Sequence, residues 1–304
     1  VLWRLPNISL APDTIFYIGS FPVTNTLLGT WISIAILLVL FFLGTRRRDL
    51  IPSGMQNLME WVVELLLGLA EGVAGKVNGR KFFPLVATFF VFIFVSNFID
   101  IIPGVDTIGQ IDVAKINAIN AAAHTNSQPV LGFLLFGNIS SALIPWIRPA
   151  TTDLNLTIGM ALIAVITAQV YGFATLGAGE HLSKYFNFPA LFRFSFTGFV
   201  EFFVGILDIV QEIGRILSLA FRLFGNIFAG TVVLAVFAFI IPFVSDIVFI
   251  PFELFVAFVQ AFVFALLSLI YLQLAVTPHA HAESEHEAHE EFERNEERAT
   301  ARHA

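Results

Sequence analysis

Between Glu201 and Asn226 six residues could hold or move charge: Glu201, Asp208, Glu212, Arg215, Arg222 and Asn226. The run around them is dominated by Phe, Leu, Ile, Val, Ala and Gly. Wound into a helix at 100° per residue, all six fall within an arc of roughly 80°. An ionisable side chain at membrane depth is disfavoured by at least ~2.5–3.5 kcal/mol on insertion scales, so a charged stripe in such a run implies a role that requires it. A second stripe lies further on, where Glu253, Gln260 and Tyr271 are spaced to share one helix face. Two facing helices would then present Arg222 and Asn226, and Glu253 and Gln260, toward each other or toward a third surface. Two chemistries suit this pattern. One is a buried ion-pair and hydrogen-bond network that fixes helix register. The other is a path for protons or small ions, favoured by the number of polar groups in the stripe.

Composition says what kind of element must carry these residues. The chain is 57% hydrophobic and only 13% charged, about half the charge of an ordinary soluble protein. An integral membrane protein is expected. With no cysteine there is no disulfide framework, thiolate metal site or cysteine nucleophile. The net charge of −7 owes much to the acidic C-terminal tail, and the bases are scattered rather than patched, which argues against nucleic acid. The first residue is Val and no basic stretch precedes the first apolar run, so a trimmed start is expected and a leader cannot be judged.

Five crossings follow from apolar length, about 20 residues each. The first, 21–45, ends at Arg46-Arg47-Arg48, which marks the cytoplasmic side and puts the N-terminus outside. Pro52 to Lys81 does not read as a span. Leu58, Val62, Leu65, Leu66 and Leu69 give an amphipathic helix for the cytoplasmic surface, or equally a helix packed on the protein itself, broken up by Gly72, Gly75 and Gly79. The second crossing is 82–99. After Pro103 comes a polar stretch with Asp106, Asp112 and Lys115. The apolar run Pro129–Ile147 inside it, with Asn138 and Ser140, is read as re-entrant or interfacial, because a crossing there would invert every later arginine. The third crossing, 154–179, leaves through Glu180 to Lys184. The fourth, 194–240, lacks proline and would be roughly 70 Å long as one helix, so it must tilt strongly, bend at Gly205 or Gly214, or fold into a hairpin. Pro242–Pro251 reads as a short outer turn, 252–276 as the fifth crossing, and 277–304 as a soluble acidic tail. Its histidines, His279, His281, His286 and His289, like His181 beside Glu180, are read as solvated rather than metal-binding.

Four segments carry a resemblance. Ser218 to Gly230 (SLAFRLFGNIFAG) resembles the signature of subunit a of F-type ATP synthases, the membrane stator beside the ring of c subunits. Gln260 to Leu267 resembles that family's last helix, and Ser96 to Pro103 and Asp153-Leu154-Asn155 match its other marks in the right order. The resemblance runs from about residue 21 to 276. It implies an all-α integral membrane fold with one long, strongly tilted helix or helical hairpin, and a proton-translocating role. Arg222 would be the essential arginine opposite each c-subunit carboxylate. An inlet path would be lined by Asn97, Asp100, Asp153, Asn226, Glu253 and Gln260, and an outlet by Asp208, Glu212 and Ser218 with Arg215 nearby. It implies as partners the c-ring, peripheral-stalk b subunits, other synthase subunits and the lipid bilayer, with no cofactor. The setting implied is a bacterial plasma membrane with the C-terminus cytoplasmic.

Two departures are visible. Some members carry an acid nine residues after the arginine and a histidine seven before the glutamine. Here those positions are Thr231 and Glu253, so the resemblance makes Glu253 the relay of the inlet. The stretch 105–149 is longer than the family's usual outer loop. No Gly-rich phosphate loop ending in Lys-Ser/Thr is present, so nucleotide chemistry is expected on partner subunits. Na⁺ coupling is the alternative within this fold. A small-solute transporter would call for internal repeats and paired broken helices, which are absent from the sequence. A purely structural subunit would not need Arg222.

Overall fold

The structure is a computed structural model and describes residues 11–46, 49–102, 105, 108–111, 129–130, 134–135, 143–177, 196–240 and 242–277. Arg47, Arg48, Asp106, Asp112, Lys115, Asn138, Ser140, the Glu180–Lys184 segment and the tail histidines lie outside these residues. For Glu201 and Asp246 only the backbone is described.

Among the described residues there are five long helices: α1 (Asn25–Thr45), α2 (Met55–Ile101), α3 (Leu154–Leu176), α4 (Phe196–Ile240) and α5 (Pro242–Val276). Each contains a stretch long and apolar enough to cross a membrane. The protein is therefore an all-α, multi-pass membrane protein. The described residues also include six short strands in two-stranded pairs: β1 (Thr14–Ile18) with β2 (Phe21–Thr24), β3 (Gly109–Ile111) with β6 (Leu143–Pro145), and β4 (Pro129–Val130) with β5 (Leu134–Leu135). The described parts of the 129–147 run are thus extended, and none of them is a crossing helix.

The first expected crossing starts four residues late, because Phe21–Thr24 is spent on the β1–β2 hairpin. Thr24 then caps α1, its hydroxyl accepting from the Leu27 amide at 3.3 Å. Gly29 allows α1 to lie directly on the Arg148 carbonyl, and Gly44 brings it against Met59, where a β-carbon would stand 2.5 Å from Met59 Cγ.

Helix α2 is two helices meeting at Gly75, whose φ of 72° and ψ of 166° break the helical path. The chain turns back so tightly that a β-carbon on Gly79 would stand 2.5 Å from the Ala70 carbonyl oxygen. Arg80 Nε meets Glu71 Oε1 at 2.7 Å across this elbow. The expected break is there, but the packed face differs. Leu66, Ala70 and Ala74 are buried, with Met59 and Val62 half-buried on the same line, while Leu58 and Leu65 are exposed. Small side chains at 70 and 74 allow the close return of the chain, while Leu58 and Leu65 stay outside.

Helix α4 keeps its helical path for all 45 residues, about 68 Å. Among the described glycines only Gly19, Gly54, Gly75 and Gly177 have positive φ, so Gly205 and Gly214 do not turn the chain and no hairpin forms. The expected outer turn at Pro242–Pro251 is instead the start of α5. Pro242 sits at its first position, where a missing amide costs nothing, and Pro251 is accommodated inside the helix. Phe237 and Phe249 pack with ring centroids 4.7 Å apart beside this α4–α5 junction.

The chain divides into two compact units. The first, Val1–Val165 with Gln211–Ile270, has a core of Phe82, Val86, Phe89, Phe90 and Ile93 from α2, Leu219, Ala220 and Leu223 from α4, and Ala257, Ala261, Phe264 and Leu269 from α5. Edge-to-face contacts tie α2 to α5: Phe89 to Phe264 at 5.3 Å and Phe90 to Phe258 at 5.8 Å. The second unit, Ile166–Val210 with Tyr271–Ala304, contains the end of α3, the start of α4 and the last turn of α5, with Ala168 and Leu272 buried.

Candidate functional site

Within the first unit, three helices bring polar side chains to one pocket. Asn97 and Asp100 come from the last turns of α2, Asn226 and Gly230 from α4, and Glu253 from α5, with Ile101, Ile227, Val256 and Ala257 as apolar walls. The pocket is partly open to the surroundings. Of the six residues expected along the inlet, four line this pocket, and Gln260 is bonded to one of them. Asn226 Nδ2 donates to Gln260 Oε1 at 2.6 Å, joining α4 to α5. Gln260 is buried and its Nε2 has no partner among the described residues, and the same holds for Asn97 Nδ2. Buried N–H groups of this kind are usually satisfied by water.

Glu253 approaches α4 over a glycine. A β-carbon on Gly230 would stand 3.3 Å from Glu253 Oε1, tighter than ordinary contact. This residue was not singled out in the sequence, although a small residue eight positions beyond Arg222 on the polar helix was the available signal. Thr231 spends its hydroxyl on the Ile227 carbonyl one turn earlier, at 3.0 Å, and does not line the pocket.

Arg222 is one turn before Asn226. It is exposed, and its Nη2 donates to Ser218 Oγ at 3.2 Å. The polar stripe of α4 follows the seam between two faces. Leu219, Leu223 and Ile227 are buried on one side; Gly214, Leu217, Ser218, Phe221 and Ala229 are exposed on the other. Further back, Glu212 Oε2 pairs with Arg215 Nη1 at 2.7 Å, with both side chains largely covered. The expected outlet residues therefore divide: Glu212 is bound to Arg215, Ser218 to Arg222, and Asp208 lies in the second unit, half-buried. Tyr271 also belongs to the second unit.

Asp153 stands apart from the pocket. Its Oδ1 accepts from the Asn155 amide at 2.9 Å at the start of α3, and its Oδ2 accepts from Thr26 Oγ1 of α1 at 3.0 Å. It is a helix cap and a clasp between α1 and α3. The turn before it, Ala150–Thr152, is fixed to α2, where the Ala150 amide donates to Ser96 Oγ at 3.1 Å and Thr151 Oγ1 donates to Asn97 Oδ1. Sequence reasoning assigned no role to Thr26, Ser96 or Thr151, because a single hydroxyl carries no signal until the fold pairs it.

The chain matches the family described as ATP synthase A chain over residues 27–133 and 129–273. It is 30% identical over 268 residues to ATP synthase subunit a of Moorella thermoacetica, covering 88% of this chain and 98% of the relative. It is 31% identical to ATP synthase subunit a of a Geobacter species (strain M21), covering 83% and 87%, and 31% identical to ATP synthase subunit a 3 of Pelobacter propionicus, covering 80% and 84%. With matches over most of its length and an all-α membrane fold, the chain belongs to the F-type ATP synthase subunit a family.

Proposed function

We propose that this chain is the proton-translocating stator subunit of an F-type ATP synthase. It provides two offset half-channels beside a ring of c subunits and couples proton flow to rotation through Arg222. One observation carries this reading. Four polar side chains from three helices converge on a pocket one turn from an arginine that stands at the edge of an uncovered apolar helix face.

The chemistry follows from charge. Protons enter by the pocket, where Asn97, Asp100, Asn226 and Glu253 replace the hydration that hydrocarbon would remove, with Gln260 holding Asn226 in place. Glu253 is the relay. Arg222 faces the carboxylate carried by each passing c subunit. A unit pair at ~4 Å is worth about 4 kcal/mol at an effective dielectric of 20, about a thousandfold in protonation equilibrium. The carboxylate is thereby held ionised as it passes, and protons do not leak between the half-channels. A guanidinium keeps its charge at every physiological pH, which an amine would not guarantee. Asp208, Glu212 and Ser218 line the outlet. Asp153, as a clasp, supports the inlet from outside it. Each elementary charge that crosses releases about 2.3 kcal/mol per 100 mV, which drives the ring. The chain lies in a bacterial plasma membrane with its N-terminus outside and C-terminus inside, residues 1–276 forming the membrane domain and 277–304 a soluble tail. Its partners are the c-ring, the b subunits of the peripheral stalk and the rest of the synthase.

The test is Arg222→Gln in the assembled complex, measured as ATP-driven proton pumping in membrane vesicles. Pumping is expected to fall to background with the complex still assembled. Coupled pumping at the parental rate would overturn the reading.

A further inference from the structure

We propose that Thr151 is a positioning residue for the ion path: its hydroxyl, carried on a rigid turn, holds the Asn97 side chain in place at the pocket shared with Asp100 and Glu253. This rests on reading that pocket as the inlet.

Three observations carry it. Thr151 Oγ1 donates to Asn97 Oδ1, and both side chains are buried, at 0% and 2% exposure. Asn97 Nδ2 is left without a partner among the described residues although Asn97 lines the pocket. The third observation is the rigidity of the turn that carries Thr151. The Asp153 amide donates to the Ala150 carbonyl at 3.2 Å, the Thr152 hydroxyl to the Pro149 carbonyl at 2.8 Å, and the Ala150 amide to Ser96 Oγ. Asp153 clasps the far end to Thr26.

The contact has a positional consequence. A threonine hydroxyl can donate or accept, and here it donates to the acceptor end of the Asn97 amide. The side chain so held lines the pocket together with Asp100 of α2 and Glu253 of α5. Asp153, two residues on from Thr151, is engaged with Thr26 and Asn155. A hydroxyl on a rigid turn thus fixes the place of a polar side chain that lines the pocket.

The experiment is a double-mutant cycle in the assembled synthase, read as ATP-driven proton pumping per assembled complex, with Arg222→Gln as a control. Thr151→Val keeps the shape and removes the donor. It is expected to slow pumping about 3- to 10-fold, the worth of one buried hydrogen bond. Thr151→Ser should restore pumping to within about twofold, since the hydroxyl returns. In an Asn97→Ala background Thr151→Val should add no further loss, because the group it holds is gone. Equal slowing with and without Asn97, or parental pumping by Thr151→Val, would overturn the positioning role while Arg222→Gln still abolishes pumping. Pumping by Arg222→Gln would instead overturn the reading of the path itself. Should the valine chain fail to assemble, Thr151→Ala takes its place in the same cycle.

Discussion

Between α4 and α5 the closeness of Glu253 to the helix carrying Arg222 is set by a missing side chain. A methyl group on Gly230 would stand 3.3 Å from Glu253 Oε1, so the carboxylate would have to move by a few tenths of an ångström. In a helix interior, alanine is better than glycine by about 1 kcal/mol. Stability and function should therefore separate. Gly230→Ala is expected to keep or raise the thermal midpoint of the purified complex while slowing proton pumping a few-fold. Gly230→Leu, whose branch would occupy the carboxylate's place, should slow it as much as Glu253→Gln does. Pumping at the parental rate by Gly230→Leu would show that Glu253 does not work from this position. The pair also shows what was legible. Glu253 announced itself as an acid in an apolar run. Gly230 did not, because a glycine's role is the space in front of it, which exists only once two helices are packed. Asp153 shows the reverse: its motif was plain, yet its carboxylate is used on Thr26 and the Asn155 amide rather than in the pocket.

At the scale of elements the same contrast recurs in α2. Gly72, Gly75 and Gly79 looked alike as helix interruptions, but they are not equivalent. Gly75 has φ 72° and ψ 166°, a backbone region almost reserved for glycine, and the chain turns there. Gly79 has the Ala70 carbonyl where its β-carbon would be, and Gly72 faces open space. Gly75→Ala is expected to cost about 1–3 kcal/mol and to lower the amount of assembled complex. Gly72→Ala should be neutral or stabilising by up to about 1 kcal/mol. Comparing thermal midpoints of the two variants checks this, and equal midpoints would remove the special role of the Gly75 elbow. Helix boundaries were readable where hydropathy alone sets them, as at the end of α1. They were misread where proline was taken for a stop. Pro242 and Pro251 both lie inside α5, because the first needs no amide partner and the second is tolerated within an already formed helix.

At the scale of the whole molecule, the part of α4 from Gly214 to Ala229 offers a face that the rest of the chain leaves uncovered. Leu217 and Phe221 are 44% and 52% exposed, and a β-carbon on Gly214 or Gly225 would meet nothing within 4 Å. Small residues on an open helix face let another helix approach closely in a membrane. Arg222 stands at the margin of this face, so a helix lying along it would carry its own side chains past the guanidinium. In the proposed function that helix belongs to a c subunit. A bulky residue at Gly225 should therefore separate folding from assembly. Gly225→Trp is expected to leave the chain inserted in the membrane at its normal level, since a β-carbon there meets nothing within 4 Å among the described residues, while c-ring copurification and proton pumping are lost. Leu38→Trp, on a 66%-exposed position of α1, serves as the control for adding an indole to an outward face and should retain both. If Gly225→Trp still copurifies with the ring and pumps normally, the ring does not pack on this face, and the position of Arg222 beside it would need another explanation.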